Sequence, residues 1–80
     1  MIKAIVTVMP KTSVLDPQGA ATAGAMKHLG LDSVAKVRIG RSIEILLEKL
    51  DEAKLHEICR DLLSNPVIED YEVEIIGSEN

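Results

Sequence analysis

Residues 2–9 alternate along the chain: Ala4, Val6 and Val8 fall on one side and Ile5, Thr7 and Met9 on the other. That period of two, in a run dominated by β-branched residues, predicts a first strand. Pro10 ends it, and Met9 to Ser13 reads as a loop. Asp16-Pro17 then has the form of a helix start, because aspartate accepts from unpaired first-turn amides and proline takes the first helical position, which needs no amide hydrogen. The helix runs to Leu29, with Gly30 as its stop. Residues 34–39 and 43–48 are predicted as strands two and three. Asp51 caps a second helix from Glu52 to Ser64, whose apolar stripe is Leu55, Ile58, Cys59, Leu62 and Leu63, and Asn65-Pro66 stops it. Residues 71–76 form the last strand.

The order βαββαβ predicts a single α+β domain over residues 1–80, ferredoxin-like in outline, with an antiparallel sheet and both helices on one face. No linker, repeat or low-complexity run interrupts it. Paired residues share a face of a sheet, so the central hairpin can be checked for register. A loop of Gly40-Arg41-Ser42 sets Ile39 opposite Ile43, Val37 opposite Ile45 and Ala35 opposite Leu47 on one face, and Arg38 opposite Glu44 on the other. A loop one residue shorter mixes the faces. The face without helices then carries Ile5, Met9 and Leu46 among Lys36, Arg38, Glu44, Glu72 and Glu74. With strands one and three central, Ile5 and Leu46 sit in mid-sheet. An apolar centre rimmed by charge is the pattern of an interface, and Ile5, Met9 and Leu46 are the candidates for self-association.

Size sharpens that expectation. A chain of 80 residues buries only roughly 60–65% of the surface it exposes when unfolded, and small domains are usually reinforced by disulfides, metals or association. A lone Cys59 allows no intrachain disulfide and no zinc ribbon, which leaves association. The 46% apolar fraction, mostly aliphatic, excludes disorder. A net charge of −4 and a single aromatic residue, Tyr71, argue against nucleic acid as a partner, since such binders present basic faces and stacking rings. The opening Met1-Ile2-Lys3 leads straight into a strand, and no apolar run reaches the roughly 18 residues of a membrane span, so a cytoplasmic location is expected.

Catalytic motifs are incomplete. His56-Glu57-Ile58-Cys59-Arg60 starts like the zinc-protease pattern but has Arg60 where the second histidine ligand must stand. Gly19 to Gly24 has phosphate-loop glycine spacing, followed by Ala25-Met26 in place of the required Lys and Ser/Thr. A small-residue helix face suited to close packing accounts better for it. Cys59 lies on the apolar stripe as a buried thiol with no base beside it. His28 suits the C-terminal turn of its helix, and His56 the solvent edge. The acids Asp51, Glu52, Glu57 and Asp61 read as a solvated helix face. Arg38 pairs with Glu44 in the predicted register, whereas Arg41 at a hairpin tip has no local structural duty and suits a phosphate, a carboxylate or a partner surface.

Three segments carry a resemblance: Val14-Leu15-Asp16-Pro17-Gln18-Gly19, Val37-Arg38-Ile39-Gly40-Arg41, and Leu62 to Tyr71 with its NPVIEDY core. Their order and spacing, over essentially the whole chain, resemble PurS, the small subunit of phosphoribosylformylglycinamidine synthase. The family often has lysine at the position of Arg41, which keeps the charge. The resemblance implies the step of purine synthesis in which formylglycinamide ribonucleotide becomes an amidine at the expense of ATP and glutamine. It also implies a division of labour: a PurQ glutaminase releases ammonia, a PurL synthetase uses ATP and Mg, and a dimeric or larger PurS holds the two together and has a place beside the ammonia route. It implies no catalytic residue and no cofactor bound by this chain alone. On the family pattern the partner contacts are Asp16, Pro17, Gln18, Gly19, Arg38, Gly40, Arg41, Asn65, Pro66 and Glu69. Two alternatives share the fold order. An acylphosphatase needs an arginine-bearing phosphate loop after strand one, which Lys11-Thr12-Ser13 lacks; an ACT-type ligand-sensing dimer is not separated by pattern alone.

Overall fold

The computed structural model describes residues 1–78, and its sheet is built around the most regular alternation in the sequence. β1 (Ile2–Pro10) is the central strand of a three-stranded antiparallel sheet ordered β2-β1-β3, with β2 at Arg41–Leu47 and β3 at Glu69–Ser78. Ala4 lies opposite Ile45 and Ile75, and Val6 opposite Ile43 and Val73. Because cross-strand partners share a face, this register gathers one aliphatic surface, in which Ala4, Val6 and Val8 are fully buried.

α2 (Glu52–Ile58) covers that surface. Asp51 caps it by accepting from the Lys54 amide at 3.1 Å, and Leu55 and Cys59 complete the core. Beyond Ile58 the helix widens into a π-turn, α3 (Cys59–Leu63), which ends where the Ser64 amide and hydroxyl both donate to the Cys59 carbonyl, at 2.9 and 2.8 Å. The wider winding changes which side chains face inward. Of the predicted stripe, Leu55 and Cys59 are buried and Leu63 is half-buried, while Ile58 and Leu62 face outward.

α1 (Pro17–His28) forms as predicted, with Asp16 as its N-cap and Gly30 beyond its end at φ 105°. No hydrophobic α1 side chain packs on the core, however, and Gly19 is the helix's one buried residue. The α+β class, the antiparallel sheet and the two principal helices stand, but α2 alone is packed on the sheet.

The predicted hairpin does not form. Residues 34–40 pair with no strand, and the expected facing of Ile39 with Ile43 and Val37 with Ile45 is absent. The chain runs on from Ile39 through Gly40 into β2 without reversing. β2 pairs along β1 instead, from Ile2 opposite Leu47 to Val8 opposite Arg41. The Ile39 amide bonds instead to Asp16, the N-cap of α1, and the Arg38 side chain to the Pro10 carbonyl. Two corrections follow: Leu46 sits on an edge strand rather than in mid-sheet, and Lys36 and Arg38 belong to no strand of the open face. The molecule is flat and open, with a radius of gyration of 16.0 Å and extents of 47 × 31 × 14 Å, against about 12 Å for the radius of a compact domain of this length.

Candidate functional site

At one end of the sheet the end of β1, the start of β2 and the start of β3 meet, since Val8 faces Arg41 and Pro10 faces Glu69. The three sequence segments singled out above converge there.

Asp16 joins the first two. Its Oδ1 accepts from the Gly19 amide at 3.0 Å, which caps α1, and its Oδ2 accepts from the Ile39 amide at 2.9 Å, across 23 positions of sequence. These donors, that of Ile39 first, hold the carboxyl below its ordinary range. Gly19 is required by the same junction: a Cβ there would collide with the Val37 carbonyl and the Asp16 carboxylate. Gly40 has a matching constraint, because its Cβ would meet the Val8 carbonyl and the Met9 sulfur. Arg38 is not paired with Glu44; its Nη2 donates to the Pro10 carbonyl at 2.7 Å, while Glu44 lies 3.5 Å from Lys3. Pro17 and Gln18 are exposed beside this junction.

Arg41 joins the second segment to the third, and here the expectation of a free tip arginine is corrected. Its guanidinium is bidentate on Glu69, Nη1 to Oε2 at 2.8 Å and Nη2 to Oε1 at 3.1 Å, and Nη2 also donates to the Leu63 carbonyl at 2.6 Å. A planar fork matched to a carboxylate is a contact that lysine cannot reproduce. Glu69 Oε1 accepts in addition from the Asn65 amide at 2.8 Å. Arg41 first and that amide second keep the Glu69 carboxyl below its ordinary range. Asn65 closes the turn around Pro66: its Oδ1 accepts from the Val67 amide at 3.1 Å and its carbonyl from the Ile68 and Glu69 amides. Asp16, Ile39, Arg41, Glu69 and Asn65 thus link three distant segments into one surface. Sequence pattern gave no signal for the Asp16–Ile39 and Arg41–Leu63 links, which depend on tertiary placement alone.

Cys59 is buried and desolvation pushes its thiol up, which disfavours the nucleophilic thiolate. His56 Nδ1 lies 3.0 Å from the Tyr71 hydroxyl on the exposed side of α2. Asp61 is paired with Arg60 at 3.0 Å and Glu57 with Lys54 at 3.2 Å. Among the described residues no group of three His, Cys, Asp or Glu side chains is placed to hold a metal ion. On the open face, Ile5 lies between Glu44 and Glu74, with Met9 further along β1 and Leu46 on the β2 edge beside Lys3. The apolar centre is therefore narrower than expected.

Comparison with known proteins places this arrangement. Residues 3–77 match the family model described as PurS, phosphoribosylformylglycinamidine (FGAM) synthase. The chain is 47% identical over 78 residues to the PurS subunit of that synthase from Synechocystis sp., covering 92% of this chain and 76% of the relative. The structure of Bacillus subtilis PurS superposes with a TM-score of 0.87 at 44% identity, covering 94% of this chain and 98% of that one. A chain in the structure of PurLQS from Thermotoga maritima superposes with a TM-score of 0.78 at 30% identity, covering 95% and 99%.

Proposed function

The chain belongs to the PurS family, subunits of phosphoribosylformylglycinamidine synthase in purine biosynthesis, and we propose that it is the non-catalytic bridge between the glutaminase and the synthetase of that enzyme. The observation that carries this reading is the end-of-sheet surface. It is cross-linked through Asp16 and Arg41, and the chain's one cysteine is buried in the core. Such a surface suits docking better than chemistry. The similar chain from Thermotoga maritima belongs to an assembly of PurL, PurQ and PurS, which supports PurL-like and PurQ-like partners here. Asp16, Pro17, Gln18, Gly19, Arg38, Gly40, Arg41, Asn65, Pro66 and Glu69 are the residues we assign to partner contact, with Asp16, Gly19, Arg41, Asn65 and Glu69 also holding the surface in shape.

A bridge raises the effective concentration of one active site beside the other, and where it covers the transfer path it keeps ammonia from water. The synthase uses ATP and glutamine; in this reading those ligands, with Mg, are bound by the larger subunits. No helix of the described residues is long and apolar enough to cross a membrane, and we assign the chain to the cytoplasm with the rest of the pathway.

The open, flat shape and the exposure of Leu46 and Ile76 support a homo-oligomer through the helix-free sheet face, centred on Ile5, Met9 and Leu46. Leu46→Glu is expected to lower the oligomeric mass in sedimentation; an unchanged mass would remove this face from the reading. The bridging role is tested by assaying glutamine-dependent amidine formation by the two larger subunits with and without the chain. Activity should depend on it, and full activity in its absence would sink the bridge.

A further inference from the structure

Between α1 and the extended segment ahead of β2 lies a cleft of about 270 Å³. Its walls are apolar, from Val14, Leu15, Ala20 and Ala23 on one side and Ala35 and Val37 on the other. Its rim is cationic, with Lys11, Lys36 and Arg38. Asp16, the one acid in the lining, already accepts from the Gly19 and Ile39 amides. Lys11 stands 3.8 Å from Asp70 and Arg38 donates to the Pro10 carbonyl, whereas Lys36 has no ion pair or hydrogen bond among the described residues. This basic rim belongs to a chain whose net charge is −4.

We propose that the cleft docks an acidic segment of one of the larger synthase subunits, with one projecting aliphatic side chain filling the hollow and neighbouring carboxylates meeting Lys36 and Arg38. The inference rests on the bridging role above. Room for such a side chain is present, since a water occupies about 30 Å³ of liquid and the cleft is several times that. Charge complementarity selects an acidic partner and speeds encounter. A free phosphate ligand fits less well, because the Asp16 carboxylate lines the wall and its amide partners point at Asp16. A second copy of this chain also exposes aliphatic side chains near acids, such as Leu62 after Asp61, and is the alternative occupant that the homo-oligomeric mass separates.

The test uses the full chain and its purified cognate larger subunits, with association followed by calorimetry at low and high salt. Lys36→Glu changes an exposed side chain without a partner and should weaken association about tenfold at low salt while flattening the salt dependence. Ala23→Leu fills the hollow from a helix that makes no core contact and should weaken association at both salt concentrations. Lys36→Arg should restore near-normal binding. Circular dichroism and homo-oligomeric mass should be unaltered in all three. Wild-type affinity for both Lys36→Glu and Ala23→Leu overturns the proposal, and a fall in homo-oligomeric mass overturns it in favour of a second copy as the occupant. Failure of the unaltered chain to bind any larger subunit overturns the bridging role itself, a result distinct from a defect confined to the variants.

Discussion

The two helices of this chain are held by different physics. α2 lies on the sheet and is fixed by burial: Leu55 and Cys59 close over Ala4, Val6 and Val8, and the half-buried Ile43, Ile45, Val73 and Ile75 pack around them. α1 buries only a glycine. What fixes it is a carboxylate shared between two amides and a backbone approach that leaves no room for a Cβ. Burial is non-directional and scales with the apolar area removed from water, so the α2 half stays together as long as the area is kept. Hydrogen bonds at a partly exposed site contribute about 0.5–1.5 kcal/mol each and demand one geometry. The α1 arm is therefore the more exactly placed and the less strongly held of the two, which suits the docking role proposed for it.

That contrast can be broken at either end. The largest effect is expected from Leu55→Ala, which opens a cavity against Ala4, Val6, Val8 and Cys59 in the buried core. A loss of about 2–4 kcal/mol in urea-induced unfolding is expected, with the oligomer concentration held constant. A loss below about 1 kcal/mol would show that α2 is not the platform. Gly19→Ala should act on the arm alone. The new Cβ meets the Val37 carbonyl, so residues 37–39 must move, at a cost of about 1–2 kcal/mol. Amide exchange should quicken at Ile39 and leave the β1 and β3 amides protected. Equal acceleration in both places would mean that arm and sheet unfold as one unit.

The same contrast explains what the sequence disclosed. Strand β1, both helix starts, the Gly30 stop and the burial of Cys59 were legible because each follows from local alternation, capping chemistry or an apolar stripe. Residues 34–39 misled because Val37 and Ile39 alternate with Lys36 and Arg38 as a strand would, yet the amide of Ile39 bonds to Asp16 and not to a neighbouring strand. Leu62 misled because the π-turn at Cys59–Leu63 shifts the helical period under it. Arg41 seemed unoccupied because its partners, Glu69 and the Leu63 carbonyl, lie 28 and 22 positions away. The three motif segments were visible as segments. Their convergence at one end of the sheet required the register that joins Pro10 to Glu69 and Val8 to Arg41.

The smallest effect expected is a separation of the two regions by acid. Asp16 ties the arm and Glu69 ties the sheet end, and both carboxyls are held below their ordinary range, by the Ile39 amide foremost in one case and by Arg41 in the other. A carboxyl depressed in the folded state adds stability that is present in full above the unfolded value and is lost as pH falls through the folded one. Stability should thus be level through neutral pH and decline only below the ordinary range of Asp and Glu. Both side chains are partly exposed, so both contributions are reduced by solvent and salt. The regions can be told apart by two substitutions. Asp16→Asn keeps an acceptor but no titrating group, so the Ile39 amide resonance should stop responding to acid while Glu69 titrates as before. Arg41→Lys removes the bidentate contact, so Glu69 should titrate closer to its ordinary range while the Ile39 amide follows Asp16 unchanged. If Asp16→Asn instead left the acid response of the Ile39 amide intact, the carboxylate would not be the tie that holds the arm.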